Sequence, residues 1–340
     1  MNPNQTADAA MKPSLATQAI ERLIEMGEPV MLWGPPGVAK SSILRQIAER
    51  QGREFIDVRA SMLDPVDLRG IPIVDKKTQR TKWAAPDFLP DGSKPSLLCL
   101  DELVSAPPSM QGALYQLVLD HRCGEYVLPD NCSVVAAGNR EGDRGVVYRM
   151  PTPLASRFTA HIEIKADVDD WQAWAIENDV PIEIIAWIRF RPEMLFNFDP
   201  KSQERAFACP RTIEKAGKIF QTEPSYEVEF ALYRGCVGQA AAVDLLAFLR
   251  IWRKLPDPDA VLMNPGKHAI PDDPQVIWAL CGALAKMADD QNFERMITFA
   301  NRLPREFSTF LVSTAIARNE DLVRTKAYIK WAAAKQKKAA

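Results

Sequence analysis

The chain lacks a long apolar run, a signal peptide pattern and an excess of charge of either sign. Lys+Arg total 42 and Asp+Glu total 44, so the net charge at pH 7 is −2, and bulk charge favours neither a nucleic acid nor a membrane surface as partner. No apolar run approaches the roughly 18 residues that a membrane span requires. Residues 1–10 are polar and small, unlike a signal peptide. We therefore expect a cytoplasmic protein with no membrane span.

Paired cysteines and clustered histidines are also missing. The 6 cysteines include no C-x-x-C pair, which predicts reduced thiols. The 3 histidines lie far apart in the sequence, and none has the spacing of a metal site. What remains is an ordinary composition, 47% hydrophobic over 340 residues, which is long enough for two domains with separate cores.

The most informative stretch is an apolar run that ends in a Gly/Pro turn and Lys-Ser. Val30–Trp33 predicts a buried strand and residues 43–48 predict a helix, an arrangement typical of a phosphate-binding loop. We expect Lys40 to reach the β- and γ-phosphates and the Ser41 hydroxyl to coordinate Mg²⁺. Ala39 stands where the usual pattern has its second glycine, and alanine lacks glycine's free access to positive φ. The predicted nucleotide-binding residues are Gly34, Pro35, Pro36, Gly37, Val38, Ala39, Lys40, Ser41 and Ser42.

A second strand pattern ends in two carboxylates. Residues 96–100 are mostly apolar and are followed by Asp101 and Glu102. In open α/β sheets the carboxyl ends of the strands form the ligand crevice, so we expect Asp101 to be the metal partner of Ser41. Glu102 is then the candidate base that orients and polarises the attacking water. Asn139 ends a later apolar run, and we expect its carboxamide beside these carboxylates if the two strands are neighbours.

Two hairpins are predicted between these motifs. The first spans about residues 64–86 and carries Lys76, Lys77, Arg80 and Lys82. The second spans about residues 122–135, with the turn at 129–131 and a return strand over 132–137.

The order of these motifs resembles that of the AAA+ ATPases. The two inserted hairpins are similar to the helix-2 and pre-sensor-1 inserts of one clade of that family. The Ala39 variant of the loop, the Asp-Pro-x-Asp-Leu-x-Gly stretch at 64–70 and the Pro-Arg dipeptide at 210–211 resemble MoxR-like members in particular. The resemblance covers residues 14 to about 220 and implies ATP and Mg²⁺ as cofactors.

The resemblance also implies roles for single residues. Lys40 and Ser41 correspond to Walker A, Asp101 and Glu102 to Walker B, Asn139 to sensor 1, Arg157 to the arginine finger offered to a neighbouring subunit, and Arg211 to sensor 2. Arg144 and Arg149 remain open as alternatives for the finger. Whether Arg211 acts within its own subunit is also open. Arg140 departs from the Asn-Pro that often follows sensor 1.

The expected fold is α/β. Residues 1–12 are expected to be disordered, 13–165 to form the AAA+ P-loop core with a parallel sheet, and 166–340 to form an extended all-α lid. From Asp169 onward the pattern contains helices and no convincing strand.

Three functions are consistent with these expectations. The first is Mg²⁺-dependent ATP hydrolysis by a MoxR-like homohexamer that remodels a protein client, with a von Willebrand factor A domain protein as partner by family resemblance. The second is a DNA-translocating or DNA-remodelling motor, which the net charge of −2 argues against without excluding it. The third is a nucleotide-gated scaffold with low turnover.

Overall fold

The computed structural model describes residues 10–143, 147–255 and 257–337. These residues divide into two compact units. The sheet unit comprises the described residues up to Ala166 together with Asp199–Ser202. The helical unit comprises Asp167–Phe198 and the described residues from Gln203 onward. No helix in the described ranges is both long and apolar enough to cross a bilayer.

The sheet unit is built on five parallel strands in the order β2-β5-β8-β1-β9. Its strands are β1 (Val30–Trp33), β2 (Glu54–Arg59), β3 (Ile71–Asp75), β4 (Arg80–Ala84), β5 (Ser96–Asp101), β6 (Arg122–Cys123), β7 (Tyr126–Val127), β8 (Cys132–Gly138) and β9 (Ala160–Glu163). Its helices are α1 (Pro13–Glu25), α2 (Lys40–Arg50), α3 (Pro65–Arg69), α4 (Pro108–Ala113), α5 (Tyr115–Leu119) and α6 (Thr152–Ala155).

The central strands are buried because their residues are apolar. All seven residues of β8 are buried, and so are five of the six residues of β5. Strands covered on both faces carry continuous apolar runs rather than alternating patterns. Both runs end where polar side chains begin, so the change from apolar to polar marks the edge of the sheet that can hold a ligand.

The first inserted hairpin is confirmed as a two-stranded antiparallel unit, β3 with β4. It is preceded by helix α3, whose N-terminus has a capping box between Asp64 and Asp67. Gly70 joins the helix to the hairpin with φ +80, and a Cβ there would lie 1.9 Å from the Ala84 carbonyl oxygen. Only glycine fits at this junction.

The predicted pairing of the second hairpin is wrong. The short hairpin is β6 with β7, and it turns at Gly124 and Glu125. The run Cys132–Gly138, predicted to be the return strand, is instead the central strand β8, parallel to both β5 and β1. Burial on both faces is the physical reason, since an exposed return strand would alternate between polar and apolar residues.

The predicted disorder of residues 1–12 is wrong for the last residues of that range, while residues 1–9 lie outside the described chain. Met11 forms a parallel bridge with Ile164. Its N–H donates to the Glu163 carbonyl oxygen at 2.7 Å, and its carbonyl oxygen accepts from the Lys165 N–H at 3.0 Å. Backbone hydrogen bonding beside β9 therefore orders the chain before α1 begins.

In the helical unit, the described residues form helices and no strand, which confirms the predicted fold class. The helices are α7 (Val168–Glu177), α8 (Ile182–Phe190), α9 (Pro210–Gln221), α10 (Tyr226–Val237), α11 (Gln239–Trp252), α12 (Pro258–Met263), α13 (Pro274–Lys286), α14 (Phe293–Ala300), α15 (Arg305–Arg318) and α16 (Lys326–Lys337). Helix α13 packs against α8, α11 and α15. The core includes the fully buried rings of Trp187, Tyr233, Phe248, Phe293 and Phe299.

Candidate functional site

The candidate site lies at the carboxyl ends of four neighbouring strands. Strand β1 leads into the loop 34–39, β5 ends at Asp101, and β8 ends immediately before Asn139. Because β8 lies between β5 and β1 in a parallel sheet, these three ends lie side by side. Strand β2 adds its own end on the far side of β5.

The loop 34–39 presents backbone N–H groups at the start of α2. Ala39, the residue before the helix, has φ +80 and ψ +27, so the chain holds an alanine in the left-handed region usually occupied by glycine. No side-chain hydrogen bond caps this helix end within the described chain. The first-turn N–H groups have no partner inside the helix and therefore suit a phosphate.

Lys40 lies across the mouth of this loop. Its side chain is buried, and its ammonium donates to the Gly34 carbonyl oxygen at 2.7 Å, to the Pro35 carbonyl oxygen at 3.1 Å and to Asn139 Oδ1 at 2.8 Å. The Lys40 charge is thus held between the loop and the end of β8. That is the position from which it would reach phosphate oxygens bound in the loop.

Ser41 and Asp101 come together in the way that a Mg²⁺ site requires. The Ser41 hydroxyl donates to Asp101 Oδ2 at 2.6 Å, and Asp101 Oδ1 accepts from the Glu102 N–H at 2.9 Å. A hydroxyl and a carboxylate are hard oxygen ligands of the kind that Mg²⁺ prefers, and Mg²⁺ takes its other ligands from water and phosphate. The residue types therefore fit the metal. The described residues contain no cluster of three or more His, Cys, Asp or Glu that could hold a metal alone.

Glu102 is held in a defined orientation by a residue that the sequence did not indicate. Its backbone is left-handed, with φ +54 and ψ +31. Its Oε2 accepts from the Ser61 hydroxyl at 2.6 Å. Ser61 lies in the 3-10 turn Ala60–Met62 directly after β2. Because β2 neighbours β5, the ends of the two strands bring the hydroxyl to the carboxylate.

Asp57 adds a further acid behind this pair. It lies on β2, and its carboxylate is 3.8 Å from the Arg45 guanidinium. Partial burial, and then the charge of Asp101, raise the pKa of Asp57 above its ordinary value. Negative charge is therefore concentrated around Asp101, which is the electrostatic setting that a divalent cation stabilises.

Asn139 is followed by a network of charged side chains that fixes the loop after β8. The Arg140 side chain forms ion pairs with both Asp143 and Glu163. Arg140 stands where related sequences often have proline after the asparagine, and these ion pairs are what arginine forms at that position.

Arg157 packs against its own sheet unit. One of its Nη atoms donates to the Pro153 carbonyl oxygen at 2.5 Å, and its guanidinium lies 5.0 Å from the centre of the Tyr115 ring. Its Nε atom is buried with no hydrogen-bond partner in the described chain. These contacts do not join Arg157 to Lys40, Asp101 or Asn139.

The other predicted arginines are distributed across both units. Arg149 is exposed in the sheet unit, and Arg144 lies outside the described residues. Arg211 is exposed in the first turn of α9 in the helical unit. The roles expected for all of these arginines stay predictions.

Ser61, Asp143 and Glu163 are site neighbours that sequence reasoning missed. Ser61 and Glu163 reach their partners through strand order, whereas Asp143 pairs with Arg140 three positions earlier in the same loop. The sequence feature that could have identified Ser61 and Glu163 is their position, since each lies at or just beyond the end of a strand in the same parallel sheet.

Comparison with known proteins agrees with this geometry. Residues 29–158 match the model of the AAA domain, dynein-related subfamily. Over 180 residues, half of this chain, the sequence is 24% identical to midasin of Giardia intestinalis, and the match covers 4% of midasin. The chain thus spans a small fraction of the length of that curated relative.

The chain also superposes on solved structures, with low sequence identity and low TM-scores. The Thermotoga maritima RuvB Holliday junction branch migration motor is 16% identical, with 84% of this chain and 82% of that chain covered at a TM-score of 0.39. NtrX from Brucella abortus is 15% identical, with 94% and 65% covered at a TM-score of 0.35. Neither overlap reaches a TM-score of 0.5. The fold assignment therefore depends on the strand order and the family match.

Proposed function

We propose, from the premise that residues 29–158 are an AAA+ ATPase domain, that this chain hydrolyses ATP with Mg²⁺ in an assembled homohexamer. Two hydrogen bonds carry the proposal. Ser41 at the start of α2 bonds Asp101 at the end of β5 at 2.6 Å, and Lys40 beside it bonds Asn139 after β8 at 2.8 Å. Bound Mg²⁺ would supply charge neutralisation for the phosphates.

Each residue then has a distinct task. The loop N–H groups and Lys40 bind the phosphates, while Ser41 and Asp101 hold the metal. Glu102 orients and polarises the attacking water. Asn139, whose Oδ1 accepts from Lys40, positions its carboxamide at the transferred phosphate.

We assign the role of the arginine at the transferred phosphate to Arg157 of a neighbouring copy. An arginine supplied by a neighbour is worth ~10³–10⁵ in rate in related phosphoryl-transfer enzymes.

The proposed target of the ATPase is a client protein, which binds to the hairpin β3–β4. The hairpin β3–β4 exposes Ile71, Ile73 and Val74, at 71%, 54% and 61%, beside the cationic Lys76, Lys77 and Arg80. Exposed apolar side chains rimmed by charge are typical of a protein-binding surface. By resemblance to MoxR-like proteins we add a von Willebrand factor A domain protein as partner. The six free cysteines are consistent with a cytoplasmic setting.

The test is complementation between two inactive variants. Arg157→Ala and Glu102→Gln should each lose most ATP hydrolysis when assayed alone. Mixing them at equal concentration should restore a substantial part of the activity, because a Glu102 site can then receive Arg157 from the other variant. Specific activity should also rise with protein concentration, in step with the measured mass.

Arg149→Ala serves as the comparison, since Arg149 is the other described arginine considered for this role. A mixture that stays inactive, together with wild-type activity independent of concentration, would overturn the shared site. Stimulation of hydrolysis by duplex DNA, and none by an unfolded protein such as reduced carboxymethylated α-lactalbumin, would replace the protein client with DNA.

A further inference from the structure

The loop after Asn139 is closed by one buried carboxylate and one arginine. The Arg140 N–H donates to Asp143 Oδ2 at 2.8 Å, and the Asp143 N–H donates back to the Arg140 carbonyl oxygen at 3.0 Å. The Arg140 guanidinium adds two more hydrogen bonds to Asp143, from Nε at 3.3 Å and from Nη2 at 3.0 Å. One residue thus supplies backbone and side-chain donors to one carboxylate.

Burial makes this arrangement rigid. Only 3% of the Asp143 side chain is exposed, whereas 44% of the Arg140 side chain is. A buried charge is strongly unfavourable unless it is paired and hydrogen-bonded. Asp143 therefore holds Arg140 in one orientation, and a bidentate arginine pair adds geometric specificity to the binding energy.

The same arginine also reaches across the sheet. Arg140 Nη1 donates to Glu163 Oε1 at 2.9 Å, and 30% of the Glu163 side chain is exposed. Arg140 follows β8 and Glu163 ends β9, while β1 lies between these two strands. Trp33, the last residue of β1, is paired with both Gly138 and Glu163. The ion pair therefore spans the end of the strand from which the phosphate-binding loop leaves.

Asn139 lies between this network and Lys40. Its backbone is covalently joined to Arg140, and its Oδ1 accepts from Lys40 Nζ at 2.8 Å. The preceding residue, Gly138, accepts from the Gly34 N–H at 3.3 Å through its carbonyl oxygen. Asn139 is thus fixed on one side by the start of the phosphate loop and on the other by Arg140.

We propose that Asp143 and Glu163 are positioning residues for ATP hydrolysis, which act through Arg140 to hold the Asn139 carboxamide toward the transferred phosphate. The inference rests on the proposed ATPase function. The loop after β8 then contributes to turnover, in addition to the motif residues. A displacement of about 1 Å in a positioning group can lower a rate by about 10²-fold.

The test compares matched substitutions in the full chain. Asp143→Asn keeps the shape but replaces one carboxylate acceptor with an N–H₂ group facing the guanidinium. We expect kcat to fall about tenfold while KM for ATP and Kd for ADP change less than about twofold. Glu163→Gln should lower kcat about threefold, because Asp143 still holds Arg140.

Glu21→Gln is the matched control for Glu163→Gln. Glu21 pairs with Arg50 at 2.9 Å, its side chain is 29% exposed, and the pair lies between α1 and α2. This variant should retain wild-type kcat. Equal losses in the Glu163 and Glu21 variants would overturn the proposal.

A double variant separates positioning from stability. In an Asn139→Ala background, Asp143→Asn should cause no further loss of kcat beyond about twofold, because its effect passes through Asn139. A full tenfold loss on top of Asn139→Ala would overturn the proposal. So would a loss of ATP affinity equal to the loss of kcat.

The melting temperature of each variant is measured in parallel. If Asp143→Asn unfolds at the assay temperature, Glu163→Gln in the wild-type and Asn139→Ala backgrounds provides the same comparison. A wild-type chain that neither binds nor hydrolyses ATP would reject the proposed function. An active wild type with unchanged Asp143 and Glu163 variants would reject this inference alone.

Discussion

Both units bury acidic side chains against arginine or lysine, but they place these pairs differently. In the helical unit, Glu229 of α10 is 2% exposed and bonds Arg253 at 2.5 and 3.2 Å, and Glu183 of α8 bonds Lys286 at 3.1 Å. In the sheet unit, the comparable pair of Asp143 and Arg140 lies on a loop at the carboxyl end of the sheet. One arrangement joins packed helices, and the other lies at the edge of the sheet where the candidate site is found.

The comparison indicates that burial of a charged pair does not by itself identify a functional residue. The pairs of the helical unit connect elements already packed by large apolar side chains such as Tyr233 and Phe248. Their loss should lower stability. The polar groups of the sheet unit lie where strands end, so their loss should lower turnover more than stability.

Glu102→Gln should produce the largest effect, and that effect should fall on turnover and not on stability. Removing the base should lower ATP turnover by ~10²–10⁴-fold, because Gln cannot accept the proton of the attacking water. The melting temperature and the binding of ATP should stay close to wild type. Steady-state hydrolysis, nucleotide binding and thermal unfolding check this outcome. Glu125→Gln, in the exposed turn between β6 and β7, is the control, and comparable turnover by the two variants would remove Glu102 from its role.

Arg253→Met should have the opposite profile. It leaves the Glu229 carboxylate buried without its arginine, which should lower the free energy of unfolding by about 3 kcal/mol. Denaturant unfolding followed by tryptophan fluorescence measures the change. Arg324→Met breaks an exposed pair with Asp321, whose side chains are 86% and 75% exposed, and should change stability by less than about 1 kcal/mol. Equal losses of stability in the two variants would show that burial of Glu229 does not make its pairing with Arg253 important for stability.

Ala39→Gly should stabilise the sheet unit. A left-handed alanine costs ~1–2 kcal/mol, while glycine adds ~0.5–1 kcal/mol of unfolded-chain entropy, so we expect a net gain of up to about 1.5 kcal/mol. Ala48→Gly, within helix α2, should instead destabilise by about 1 kcal/mol or more. Denaturant unfolding without nucleotide compares the two. A loss of stability in the Ala39 variant would mean that its φ of +80 carries no strain.

Asp57→Asn should have the smallest effect, and that effect depends on pH. Burial, and then Asp101, raise the Asp57 pKa, so the folded state disfavours the ionised carboxylate. The variant should therefore melt higher than wild type at pH 7, and this gain should shrink as pH falls through the folded pKa toward the ordinary value.

Asp91→Asn provides the opposite sign. The hydroxyl and backbone N–H of Ser93 lower the Asp91 pKa, so the ionised form is favoured in the folded state. Its variant should melt lower than wild type at pH 7, and the difference should disappear at acid pH. Melting curves at several pH values that move in the same direction for both variants would contradict this assignment.

The central strands and their ends could be predicted from sequence because polarity changes abruptly there. The run ending at Leu100 passes directly to Asp101 and Glu102, and the run ending at Trp33 passes directly into the Gly/Pro turn 34–37. The placement of Asn139 followed from the same rule, once β8 is known to neighbour β5. The order of the strands therefore determines which of these strand ends lie side by side in the site.

The rest depended on contacts between residues distant in sequence. Cys132–Gly138 was misplaced because an apolar run after a turn suits both a hairpin and a central strand, and its burial on both faces decides between them. Ser61 meets Glu102 across 41 positions, and Arg140 meets Glu163 across 23. No periodicity marks such pairs in advance.

Gly70 joins the hairpin β3–β4 to helix α3, outside the five-stranded sheet that carries the candidate site. Most residues of β3 and β4 are exposed, so the fold constrains their identity weakly, while the glycine that starts the hairpin is constrained by the Ala84 carbonyl oxygen. Sequence drift can therefore alter residues 71–84 without disturbing the sheet. Under the proposed function, related chains could differ in the client that they bind while Lys40, Asp101 and Asn139 stay the same, and grafting a foreign hairpin between Gly70 and Ala84 would change the client.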